Sequence, residues 1–291
     1  MDNIEDQKPK RRVIGTIRAA VNTLMSHKEI LFPFTFVIFI QLLSLEILYF
    51  APRYPLNIFF APIIRTLWSE AYLHYPLNFI LLPKLFQYAE MGIYILINSF
   101  CIALSIAKLY AIVSDKKDQT KSIFRETISS YVHIALAAIL SFLVVMLFFK
   151  FYGLFLNRAM KIQSTTGIFF VIKTLVIGGA PYCNLIFSVF VTALFAYVVP
   201  IIVIEKKKVF TAIIQSFKIL KGSFWFSFWI AFVPTLLYVP VLLLRNSLNL
   251  ESLLPELKVL VLVLSIFVIV FVDAIIYASL ATYYLSVRER K

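Results

Sequence analysis

Two carboxylates, Glu46 and Asp273, fall inside long apolar runs of this 291-residue chain. A carboxylate in hydrocarbon is costly to keep, so such a residue is by default a candidate functional group. Asp273 stands near the middle of the last run, 15 residues from both Lys258 and Arg288. Glu46 sits near the end of the first run, within reach of headgroup water, and simple exposure accounts for it. Two roles fit Asp273: a neutral or hydrogen-bonded acid that ties helices together, or a group on a proton or solute path. Its candidate partners are Asn98, and Lys108 reaching inward along its aliphatic stem, and the three residues form the candidate intramembrane polar site.

Other chemistry is missing from the pattern. The sequence has no HExxH, GxSxG or CxxC motif, no glycine-rich phosphate loop, and only 7 glycines. His27, His74 and His133 fall in separate segments, with His27 and His74 expected on opposite sides of a membrane, and a metal site needs ligands that converge. Cys101 and Cys183 lie in apolar runs, where a thiol behaves as a small apolar side chain. No catalytic, cofactor or metal site is expected, and the chain does not read as an enzyme.

The elements that must position Asp273 follow from composition. Residues are 61% hydrophobic and 15% charged, with mean hydropathy +0.90, far from soluble domains. Backbone polar groups in lipid must be satisfied within the segment, so about 20 apolar residues in helical form cross a bilayer. Six stretches qualify: Leu31 to Phe50, Met91 to Val113, Tyr131 to Phe151, Tyr182 to Ile204, Phe224 to Leu244 and Val259 to Leu285. A seventh, Ile168 to Ile177, is short and carries Lys173. The charged N-terminal segment lacks signal-peptide character, so the first run is expected to be an uncleaved span. Residues 1–291 read as one polytopic, all-α integral membrane domain.

Segments rich in Lys and Arg stay cytoplasmic. With both termini inside, 19 of the 28 basic residues are cytoplasmic, which fixes the expected orientation. The same excess accounts for the net charge of +13, so no nucleic-acid partner is needed. Lys206, Lys207, Lys208, Lys218 and Lys221 are candidate contacts to anionic lipid headgroups, making membrane lipids the expected partners. Trp225 and Trp229, in an aromatic run just beyond them, are candidate interface anchors.

The chain also repeats itself. Asp115-Lys116-Lys117 matches Glu205-Lys206-Lys207, and Glu289-Arg290-Lys291 closes the sequence. Ile123 and Ile213 each follow the acid by eight residues and open a stretch with helical periodicity that leads into a span. One face of the last stretch carries Phe210, Ile213, Ile214, Phe217 and Leu220, against Thr211, Gln215, Lys218 and Lys221. Val13, Ile17, Val21 and Leu24 do the same near the N-terminus, and the Ile123 stretch is looser. Three units are expected, 1–117, 118–207 and 208–291, each a cytoplasmic interfacial amphipathic helix followed by a two-span hairpin. Aligned on their closing acids, the units place Asp273 opposite Val189 and Ser99.

Two outer segments are too apolar to float in water. The segment from Ala51 to Glu90 echoes Tyr54-Pro55-Leu56-Asn57 in Tyr75-Pro76-Leu77-Asn78, and Asn57 and Asn78 are expected to start short helices that cap the bundle or bind lipid. The segment from Tyr152 to Pro181 ends in the expected breaker Gly178-Gly179-Ala180-Pro181.

The run from Val199 to Glu205, its following lysines, and Ala212 to Trp225 with its Lys221-Gly222 step resemble one family. These are the uncharacterised bacterial multi-span proteins related to the membrane domain of glycerophosphoryl diester phosphodiesterases. The likeness is sharp over some 30 residues. It implies a bacterial inner-membrane protein, and no phosphodiesterase activity, since the spans use the whole length and leave no catalytic domain. The expected function is membrane organisation, or partnership with another membrane protein or lipid. The alternative is a transporter or channel for lipid or a small solute with Asp273 on its path. A polar cavity reaching Asp273 would favour the second, a dry bundle the first.

Overall fold

A computed structural model describes residues 13–114, 120–162, 167–246 and 255–288, and every regular element among them is a helix. The repeat motifs at 115–117 and 289–291 lie outside the described residues. Six helical segments are long and apolar enough to cross a membrane: Lys28–Phe50, Leu77–Val113, Tyr131–Met160, Gly167–Glu205, Phe224–Arg245 and Leu257–Arg288. The described residues are therefore all-helical, with six helices long and apolar enough to span a membrane, as the sequence implies.

Helix α1, Val13–Ser26, precedes the first span, which consists of a 3-10 turn and α2, Phe32–Phe50. Pro33 lies in the first turn of α2, where its missing N–H is no loss. Helix α3, Asn57–Leu67, follows. The second span is α4, Leu77–Ile93, a π turn at Tyr94–Asn98, and α5, Ser99–Val113. Helix α6, Thr120–Ser129, leads into the third span, α7, Tyr131–Met160. The fourth is α8, Gly167–Leu194, a turn, and α9, Val198–Glu205. Helix α10, Val209–Leu220, leads into the fifth, where α11, Phe224–Thr235, joins α12, Val239–Asn246, through a 3-10 turn just ahead of Pro240. The sixth is α13, Leu257–Arg288.

Three spans outrun their expected bounds. α4 continues the second span back to Leu77, so Asn78 starts a spanning helix and not a separate cap. α3 does begin at Asn57, yet neither Asn57 nor Asn78 caps a helix through its side chain. The Tyr–Pro bonds at Pro55 and Pro76 are both cis. Ile168–Ile177 is the first part of α8, not a separate segment. Helix α8 also runs unbroken through Gly178-Gly179-Ala180-Pro181. Breaking the helix in apolar surroundings would free further backbone groups with no water to pair them, so it persists past Pro181.

The fourth span breaks instead at Phe195–Tyr197. Pro200 has no N–H for the carbonyl of Ala196, and Tyr197, fully buried, turns inward to hydrogen-bond Ser227 of α11.

The ends of the spans are tied together at one end of the bundle. Lys108 of α5 donates to the Glu29 carbonyl at 3.5 Å, Lys206 pairs with Glu126 of α6 at 3.1 Å, and Tyr284 of α13 donates to Glu205. Arg288 lies over the Tyr110 ring, 5.6 Å from its centre.

Helices α1, α6 and α10 share this end but pack differently. α1 buries Ala20 and Leu24 with Ile17 and Val21 beside them, as its periodicity implies. α10 turns its small residues inward, with Val209, Ala212, Ser216 and Leu220 buried, and presents Phe210, Ile214 and Phe217 outward with Lys218. The expected single apolar face is thus divided between bundle and surroundings. α6 lies along α5, with Phe124 meeting Phe100 edge-on at 5.7 Å.

Candidate functional site

Asp273 is held by a direct hydrogen bond from Asn98, whose Nδ2 donates to its Oδ2 at 3.1 Å. The π turn explains how Asn98 comes to be there. Its wider i→i+5 winding is characteristic of functional sites in helices, and it brings Tyr94 and Asn98 to the same cavity wall. Backbone carbonyls in and beside this turn take side-chain donors, Ser99 to Ile95 at 2.5 Å and Tyr131 of α7 to Leu96 at 3.0 Å. The Tyr94 and Tyr277 hydroxyls pair at 3.3 Å, so α13 offers Asp273 and Tyr277, one turn apart, to Asn98 and Tyr94, also one turn apart.

These groups face a cavity of about 350 Å³ walled by five of the six spans. Its polar residues are Gln41 of α2, Gln87 and Glu90 of α4, Tyr94, Asn98 and Ser99 of the second span, Ser141 of α7, Ser188 and Thr192 of α8, and Asp273 and Tyr277 of α13. Its apolar wall includes Met91, Phe142, Met146, Phe149 and Phe195. The lining runs from Ile134 to Phe149 on α7, about 22 Å along the helix axis at 1.5 Å per residue. Two irregular segments border it, the π turn and the break ahead of Pro200, through Phe195, Val198 and Val199.

Two deeply buried polar groups on this wall are incompletely satisfied. Gln41 is 3% exposed and Asn98 2%, and neither Gln41 Oε1 nor Asn98 Oδ1 meets a protein donor. A buried acceptor without a partner costs about 1–3 kcal/mol, and both oxygens lie too deep for water in the cavity to reach as the side chains stand. Asp273 itself is half-buried, its exposure facing this space.

Lys108 does not join the group. Its ammonium reaches the other way, to the Glu29 carbonyl at the end of the bundle. Gln41, Glu90, Tyr94 and Tyr277 were not singled out from the sequence. Gln41 carried a signal, an amide in a largely apolar helix, while the two tyrosines look like ordinary span aromatics.

A second hollow, of about 510 Å³, lies between α5, α6 and α9. Its charged residues, Glu126 and Lys206, satisfy each other, which leaves no group in it seeking a ligand.

The candidate headgroup lysines fall into two sets. Lys207 pairs with Glu205 at 2.7 Å and donates to Gln215 at 2.6 Å, and Gln215 in turn donates to Glu205. Together with the exposed Lys206–Glu126 pair, this gives two of the five a carboxylate partner on the chain. Lys208, Lys218 and Lys221 are exposed. Trp225 and Trp229 are 69% and 46% exposed, on the outer surface of α11 beside Phe228.

Among the described residues no three His, Cys, Asp or Glu gather as a metal site would require. Cys101 is buried and Cys183 partly so, both as thiols. Compared with family models, curated proteins and solved structures, the chain matches none, so the family resemblance rests on the residues quoted for it.

Proposed function

We propose that this protein binds a small solute or lipid within the membrane and carries it across, with Asp273 on the path. The observation that carries this is the cavity at Asp273, walled by five spans and lined by the Asp273 and Glu90 side chains. A bundle that served only to organise its neighbours would have no reason to keep such groups along a cavity, since each is costly unless solvated or bound. The two helix irregularities bordering the cavity support the same reading, because broken or widened helices are how spans free backbone and side-chain groups for a ligand. No chemistry of the protein's own is part of the proposal.

The setting is a bacterial cytoplasmic membrane, with both termini and helices α1, α6 and α10 on the cytoplasmic side. The distribution of Lys and Arg supports the orientation, and the resemblance to the phosphodiesterase-linked membrane proteins supports the location. α1 and α10 act as interfacial helices. Lys208, Lys218 and Lys221 are the lipid-headgroup contacts, and Trp225 and Trp229 anchor the fifth span at the interface. The chain is a threefold repeat of helix plus hairpin, in support of which Ser99 and Asp273 line one cavity and Ser188, next to Val189, lines it too.

The test is solvent access. In a chain with Cys101 and Cys183 replaced by serine, Ser141→Cys is treated with a charged, membrane-impermeant thiol reagent and, separately, with a lipophilic maleimide. Labelling by both is expected. A thiol that reacts only with the lipophilic reagent would mean a sealed or lipid-filled space and would sink the proposal.

A further inference from the structure

We infer that the occupant of this cavity is an apolar organic cation carrying N–H donors, a primary or secondary ammonium with a hydrophobic body. The inference rests on the carrier reading above and adds the ligand's chemistry.

Charge comes first. The carboxylic acids of the lining are Asp273 and Glu90, and among the described residues no Lys, Arg or His lines the cavity. Arg245 is near enough to act on Glu90, whereas no cation among the described lining residues offsets Asp273. A carboxylate in such a place needs a proton or a cation brought from outside.

Hydrogen bonding points the same way. The Asp273 carboxyl takes the Asn98 amide nitrogen, and its remaining acceptor capacity, with that of the Glu90 carboxyl, is turned to the cavity these residues line. The site offers oxygens and asks for donors. A carboxylate, phosphate or ether ligand would bring more acceptors and leave every one of these atoms unsatisfied. An ammonium with two or three N–H groups supplies both the charge and the donors.

Shape supplies the remainder. Beyond the polar end, Phe142, Phe149, Phe195, Met91 and Met146 offer apolar and polarisable contact. The volume, about 350 Å³, lies at the small end of ordinary ligand pockets, which suits a compact aromatic or aliphatic amine.

The test uses the full chain in phosphatidylcholine nanodiscs and isothermal titration with four probes of nearly one shape: phenethylammonium, phenethyltrimethylammonium, 2-phenylethanol and 3-phenylpropionate. Phenethylammonium is expected to bind saturably, one per chain. The quaternary and neutral analogues should bind at least about tenfold more weakly and the anion not at all. In Asp273→Asn, phenethylammonium should lose at least about tenfold while 2-phenylethanol is unchanged. Glu90→Gln, which leaves Asp273 in place, should weaken the primary ammonium more than the quaternary one.

Equal binding of the primary and quaternary ions would overturn the donor argument. Binding of the neutral or anionic probe as tight as that of the ammonium would overturn the charge argument. If none of the four binds while Ser141→Cys is open to the charged reagent, the ligand class is wrong and the cavity reading stands. If Ser141→Cys is closed to it, both fall.

Discussion

At the residue scale the coupling of Asp273 to Asn98 can be measured directly. A double-mutant cycle with Asp273→Ala and Asn98→Ala, read by unfolding in bicelles, is expected to give about 0.5–1.7 kcal/mol, the range of interhelical hydrogen bonds in membranes. A value near zero would mean that the pair does not hold the two helices together. Function separates the two roles of Asp273. The Asp273→Asn protein should fold and lose transport, because an amide neither exchanges a proton nor pairs with a cation, whereas retained flux would return Asp273 to a purely structural role. Sequence reasoning reached Asp273 and Asn98 because a charge in an apolar run is conspicuous and the repeat alignment points near Asn98. It assigned Lys108 inward because a lysine stem is long enough, but nothing in a sequence tells which way a stem turns. The carbonyl at Glu29, on another span, decided that. Gln41 and Glu90 became legible only when helix rotation placed them on one wall.

At the element scale the lysines that open α10 make the clearest case. Replacing Lys208, Lys218 and Lys221 by glutamine should lower the anionic lipid that co-purifies, at about 1 kcal/mol of surface attraction per residue, and leave the melting temperature nearly unchanged. Lys207→Gln should do the reverse. It strips the Glu205 carboxylate, 17% exposed, of its ammonium while Gln215 and Tyr284 still donate to it, which should cost about 1–3 kcal/mol without altering lipid content. Equal lipid in the triple variant and the wild type would leave these lysines only an orienting role. The periodicity of α10 was readable, but its division was not. A helix against a bundle turns small residues toward close neighbours, so Ala212 and Ser216 are buried while Phe210, 70% exposed, is turned outward. Hydrophobicity alone ranks these the other way. Gly178-Gly179-Ala180-Pro181 shows the same limit, because breaker residues are calibrated on chains in water, and here the helix continues while the break falls where Tyr197 finds a buried partner.

At the scale of the whole molecule, six spans and their order follow from hydropathy alone, since a bilayer leaves the backbone few choices. Span length is less legible, because Leu77–Val113 and Gly167–Glu205 exceed the roughly 20 residues a bilayer requires, and nothing local marks where a helix leaves lipid. Orientation is independent of these lengths and, in the reading proposed above, is set by charge. Fusions of a cytoplasmic reporter after Lys117, Lys208 and Lys291 should all be active, and fusions near Ser69, Ser164 and Asn249 should all be silent, with an exported reporter giving the complement. The ties at one end of the bundle make this an all-or-none expectation. Lys108 to Glu29, Lys206 to Glu126 and Tyr284 to Glu205 join the ends of the second, fourth and sixth spans to the starts of the first and third and to each other. All of these ends must then share one side, and a single hairpin cannot reverse without breaking its tie. One reversed pair of reporters would therefore overturn both the orientation and the packing of that end, whereas a wholesale inversion would keep the packing and refute only the charge argument.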